Sequence, residues 1–268
     1  MVLTEQDPLT EPETRPTRSP RQRPVARRVD VDGLAFRVLS SARPDADAPP
    51  VVLVHGIGVS HRYLSRLHDE LSAHRTVVSI DLPGFGGLPK PGVDLDVPAM
   101  ARALGQVLAG LELGPVVLLG HSMGSQWVVE TAVQRPQIVT TVVAMGPVAD
   151  ERHRTILRQS SALALDTLLE PPTVNAIVLR DYLRCGPRWY LTQLRHMLAY
   201  RLEDRVAELT VPLLIIRGGA DPIAGLEWCR RLRENARAAD LVVIPGHHHV
   251  AQQSAPRAVA SALLALTA

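Results

Sequence analysis

Six short apolar runs, rich in Val, Leu and Ile, recur along the chain: VVLV at 51–54, TVVSI at 76–80, PVVLL at 115–119, VTTVVAM at 139–145, VPLLIIR at 211–217 and DLVVIP at 240–245. No other feature constrains the fold as much. The runs are largely continuous rather than alternating apolar with polar, so they fit strands covered on both faces. Helical periodicity fills most of the intervals, near 61–73, 98–112, 122–135, 225–237 and 254–266. Strands alternating with helices predict an α/β fold, a mostly parallel central sheet flanked by helices.

The rhythm breaks in two places. Ahead of the first run, RRVDVDGLAFRVL sets two alternating stretches around Asp32-Gly33. That turn dipeptide predicts an N-terminal antiparallel hairpin. Between Pro147 and Thr210 the helical periodicity continues without a clear strand, divided at Pro171-Pro172 and Gly186-Pro187. The expected organisation is a core formed by 27–146 and 211–268, with 147–210 a helical lid over one end of the sheet. Residues 1–26, where Pro8, Pro12, Pro16, Pro20 and Pro24 recur among Thr, Glu and Arg, bury too little to offset their ordering entropy. They read as a disordered proline-rich tail.

Composition narrows the function. Hydrophobic residues at 46% supply a sizeable core, and aromatics at 3% make it aliphatic. A net charge of +2 gives no field that would argue for nucleic acid or an anionic membrane. No apolar run approaches the roughly 20 residues of a spanning helix, and the N-terminus lacks the apolar core of a signal peptide. A cytoplasmic location is expected. Cys185 and Cys229 fit neither a metal spacing nor a disulfide framework, and no metal or organic cofactor is expected.

Polar residues gather just after the strand runs, where open α/β sheets bind their ligands. These positions hold His55-Gly56-Ile57-Gly58, Asp81 to Gly86, Gly120-His121-Ser122-Met123-Gly124, Gly218 to Asp221, and Gly246 to His249. Ser, Asp and His thus converge on one edge, in that chain order.

With HGIG, DLPGFG, GHSMG, GGADP and a late histidine in this order, the chain from residue 28 onward resembles the α/β-hydrolase family. The resemblance implies that GHSMG is a nucleophile elbow, with Ser122 on a tight strand-to-helix turn between Gly120 and Gly124. Ser125 stands where many relatives have a further glycine. Gly246 and Pro256 match the family spacing for His249 as the base. His248 replaces the usual glycine and Ser254 the usual glutamate, so His248 remains the alternative. The acid is expected at Asp221, with Asp150 the rival. The oxyanion hole would use the backbone N–H groups of Met123 and Ile57. Asp81, His55, His61 and His121 read as structural. Three consecutive histidines cannot all converge on one ion, so no metal site is expected there. In the lid, Tyr182, Trp189 and Tyr190 are candidate substrate-binding residues, and ordinary helix packing is an equal reading of each.

The expected activity is hydrolysis of a small carboxylic ester or lactone through an acyl-enzyme formed by a Ser-His-Asp triad. The expected partner is that small molecule; the sequence sets no oligomeric state. Carbon–carbon bond hydrolysis, acyl transfer and cofactor-free peroxidation use the same scaffold, and a hydrolase-like small-molecule receptor is the non-enzymatic alternative. Fold alone does not separate them.

Overall fold

Asp32 and Gly33 both take positive φ, 49° and 75°, the backbone of a type I′ hairpin turn. The turn joins β1 (Val25–Val31) to β2 (Leu34–Ser41) as an antiparallel pair with Val29 opposite Phe36, as the alternating pattern predicts. The computed structural model describes residues 24–43, 47–153 and 172–267. Most of the expected tail and residues 154–171 of the expected lid lie outside the described residues. The tail boundary at 26 needs correction: Val25 and Ala26 already pair with Ser40 and Leu39. Their side chains are exposed, so the pairing is a backbone matter that leaves no mark on the apolar pattern.

The remaining strands are β3 (Val51–Val54), β4 (Val77–Asp81), β5 (Val116–His121), β6 (Val139–Met145), β7 (Leu213–Gly218) and β8 (Ala239–Ile244). They form one eight-stranded sheet in the order β1-β2-β4-β3-β5-β6-β7-β8. The hairpin joins β4 antiparallel, and every pairing from β4 to β8 is parallel. The main helices are α1 (Ser65–Leu71), α2 (Val97–Gly110), α3 (Gly124–Gln134), α4 (Pro172–Cys185), α5 (Pro187–Ala199), α6 (Leu226–Asn235) and α7 (Pro256–Leu266).

Successive strand residues point to opposite faces, and here both faces are apolar. Val52, Val54, Leu118, Val142 and Ile215 join one core with residues of α2, α3 and α6. Val51, Leu53, Val117, Leu119, Val143 and Ile216 join another with α1 and α7. This double burial is why the strands read as continuous runs. The edge strand β1 instead exposes Arg27, Arg28 and Asp30, charges that discourage pairing with another chain.

The chain leaves β3 outward to β4, then returns past β3 to β5. The connections after β3 and β5 therefore run in opposite directions, the switch point at whose carboxyl ends open α/β sheets bind their ligands.

Candidate active site

Ser122 has φ of +58°, a left-handed conformation that costs a residue with a β-carbon about 1–3 kcal/mol. Three close approaches hold it there. The Ser122 amide donates to the Met145 carbonyl at 2.8 Å. A β-carbon on Gly120 would lie 2.1 Å from the Gly124 carbonyl oxygen, and one on Gly124 2.6 Å from that of His55. Strand, turn and helix are thus pressed together, and only glycine fits at either position. Ser125 fills the place of a third glycine by donating its hydroxyl to the Gly120 carbonyl at 3.0 Å.

The loop after β3 lies against the serine. A β-carbon on Gly56 would sit 2.9 Å from the Ser122 β-carbon, so the backbone of Gly56 reaches the elbow. His55 anchors this loop. Its Nε2 accepts from the Leu82 amide at 3.1 Å, so its Nδ1–H donates to the Gly56 carbonyl at 2.7 Å. Burial lowers the His55 pKa, which keeps that tautomer neutral. Asp81 receives the His61 amide at 2.6 Å, the His61 ring at 2.8 Å and Arg37 at 2.7 Å. Burial opposes its charge, but the His61 contacts win and hold its pKa at about 2. Asp81, His55 and His61 thus hold loops in place.

Asp221 and His249 are in direct contact. The Asp221 Oδ1 accepts from the amides of Ile223 and Ala224 at 2.8 and 2.9 Å, while Oδ2 lies 2.9 Å from His249 Nδ1. Burial works to raise the Asp221 pKa, but the neighbouring His249 and the two amides outweigh it and lower the value. An ionised carboxylate requires Nδ1–H on the imidazole, which leaves Nε2 as the basic nitrogen. Gly146 makes room: its φ is +56°, and a β-carbon there would stand 2.9 Å from His249 Cε1.

The alternatives are engaged elsewhere. Asp150 accepts from Arg231 at 2.6 Å and from the Arg152 amide at 3.0 Å. His248 Nδ1 lies 3.1 Å from the Ala220 carbonyl, and His247 Nδ1 lies 2.9 Å from Ser254 Oγ. Gly218 lets the histidine run cross the end of β7, since a β-carbon there would be 2.1 Å from the His248 carbonyl oxygen.

Of the aromatic candidates, Tyr182 and Tyr190 pack on Gly58, their ring centroids 5.3 Å apart. Trp189 packs on Gly84, its ring 6.2 Å from that of Phe85. All three therefore touch the loops after β3 and β4. Their helices are fastened to the core. Buried Asp181 accepts from Ser60 and from Arg62, the latter at 3.2 Å. Gln126 donates to the Met197 carbonyl at 2.9 Å. Arg205 and Tyr200 both bond Glu130, each at 2.8 Å to Oε2. Sequence reasoning missed Asp181 and Gly146; an acid within an apolar helical stretch and a glycine at a strand end were the available signals. Among the described residues no group of His, Cys, Asp or Glu could hold a metal ion, and no described helix is long and apolar enough to cross a membrane.

The model of the "Alpha/beta hydrolase family" matches residues 51–262. The chain belongs to the alpha/beta hydrolase family. Among curated relatives of this hydrolase, the (E)-2-((N-methylformamido)methylene)succinate hydrolase of Acinetobacter baylyi is 24% identical over 82% of this chain and 90% of its own. The 2-(acetamidomethylene)succinate hydrolase of Mesorhizobium japonicum is 24% identical over 89% of this chain and 94% of its own. Among solved structures, the enol-lactonase of Burkholderia xenovorans superposes with a TM-score of 0.76 at 19% identity, covering 89% of this chain and 98% of that one. That likeness supports the fold.

Proposed function

We propose that this hydrolase cleaves a small carboxylic ester or lactone through an acyl-enzyme on Ser122. One observation carries the reading: His249 is fixed through Nδ1 by ionised Asp221, beside an elbow that holds Ser122 at positive φ. Ser122 Oγ attacks the carbonyl carbon as His249 Nε2 takes its proton. The resulting oxyanion is met by the N–H groups of Ile57 and Met123, each worth about 3–4 kcal/mol. Met123 is the N-cap of α3, so its amide stands at the start of the helix, where backbone donors have no intrahelical acceptor and anions are favoured. The tetrahedral intermediate collapses, and the leaving alkoxide receives the proton from His249. Water then attacks the acyl-enzyme by the same route in reverse.

Within 147–210, the described helices α4 and α5 act in this reading as part of a lid. Tyr182, Trp189 and Tyr190 line the substrate site beneath it. Their contacts with Gly58 and Gly84 support that role. The Trp189 indole N–H, buried and without a protein acceptor among the described residues, is suited to orient a polar substrate group.

The test is a series of aryl esters of increasing acyl length, assayed beside Ser122→Ala. Turnover by the native protein and none by the variant is the expected result. A receptor with this fold would bind such esters without turning them over. A carbon–carbon hydrolase would be distinguished by its products.

A further inference from the structure

His121, the residue before the elbow serine, is buried at 1% exposure. It ends β5, so its backbone is continuous with that of Ser122. Its Nε2 lies 3.0 Å from the carbonyl oxygen of His249. A carbonyl can only accept, so Nε2 carries the hydrogen and Nδ1 is bare. That Nδ1 is buried with no partner among the described residues, which leaves Nε2–H as the ring's anchor. The ring also packs on the His249 imidazole, centroids 4.7 Å apart at 52°, and against the edge of Tyr63 at 5.3 Å.

The bond joins two parts of the proposed machinery that are 128 residues apart in the chain. Asp221 holds the His249 ring by Nδ1, which fixes its rotation. It does not fix how far the ring stands from Ser122, because Asp221 belongs to the loop after β7. His121 supplies that second constraint. Its backbone moves with Ser122, and its side chain grips the peptide of His249.

We propose that His121 is a positioning residue that sets the approach of His249 to Ser122 through the Nε2–H bond to the His249 carbonyl; this rests on the proposed Ser-His-Asp reading. Burial and the adjacent His249 push the His121 pKa down to about 3, so no second imidazolium forms beside His249 when it takes the serine proton. A like charge there would oppose that transfer.

The test compares His121→Gln with His121→Met. The two side chains are of similar length, and Gln carries an N–H near the native Nε2 while Met carries none. Loss of about an ångström of registration costs on the order of a hundred-fold in rate. His121→Met should therefore lower kcat by about that factor with KM nearly unchanged, and slow fluorophosphonate labelling in parallel. His121→Gln should recover most of both. Equal kcat in Met and native protein, or a Gln variant as slow as Met, overturns the proposal. Imidazole nitrogen NMR of the native protein gives a second arm that needs no folded variant. A neutral Nε2–H tautomer for His121 at pH 7 is expected, and an Nδ1–H tautomer overturns the proposal. Ester turnover by Ser122→Ala would instead sink the underlying reading, whatever His121 does.

Discussion

Asp150 and Asp221 are carboxylates placed after neighbouring strands, β6 and β7. Only their partners separate them: Arg231 for Asp150 and His249 for Asp221. In the proposed mechanism, Asp221→Asn leaves Ser122 in place but favours the wrong imidazole tautomer. Labelling by a fluorophosphonate should slow by roughly 10⁴-fold. Asp150→Asn should label within about threefold of native, since its partner Arg231 lies outside the machinery. The reverse order, measured on variants with native circular dichroism, would move the acid to the earlier strand. The serine and its glycines were legible because a tight turn demands small residues at set spacing. The acid was less so. Strands adjacent in the sheet bring both aspartates to one edge, and only side-chain partners, invisible in sequence, separate them. The sequence leaves His248 and His249 both possible for a similar reason, because a one-residue shift in the loop exchanges them.

At the level of elements, the strands could be read because both faces of the sheet are apolar. The N-terminal end of β1 could not, because its side chains face solvent. The C-terminal helical pattern over 254–266 is α7, and a one-turn helix, Ala251–Ser254, precedes it. Proline at 256 starts α7 because a first turn needs no amide hydrogen there. Loops carry the chemistry, and two substitutions test how they are held. Gly56→Ala would drive a β-carbon to 2.9 Å from that of Ser122. It should cost about 1–3 kcal/mol of stability and nearly all ester turnover; full activity would mean that the loop does not abut the serine. Asp81→Asn removes a buried carboxylate whose pKa falls from 3.8 to about 2 on folding. Such a group stabilises by about 2 kcal/mol above its unfolded pKa. That share disappears as pH falls through the folded value. Denaturant unfolding should therefore show a gap between native and Asp81→Asn that is full at pH 6 and narrows between pH 4 and 2. A gap independent of pH would assign Asp81 a purely steric role.

For the molecule as a whole, the buried histidines set the acid limb of stability. Burial lowers the pKa of His68 from 6.5 to about 4, and that of His121 to about 3. His68 sits between Ser41 and Ser79, at 3.0 and 2.8 Å. Below pH 6.5 the unfolded chain binds protons that the folded chain refuses, so stability falls as pH drops towards 4. Each histidine contributes about 1 kcal/mol per pH unit in that window. The melting temperature should decline from pH 7 to pH 4.5, and His68→Gln should make the decline shallower. A flat profile would contradict neutral burial. The central claim is that Ser122 becomes acylated with His249 as its base. It is tested most directly by mass spectrometry of the intact chain after fluorophosphonate treatment, with the modified peptide sequenced. The account predicts one adduct per chain, on Ser122, absent in Ser122→Ala and formed far more slowly in His249→Ala. An adduct on another residue, or undiminished labelling of Ser122→Ala, would contradict it.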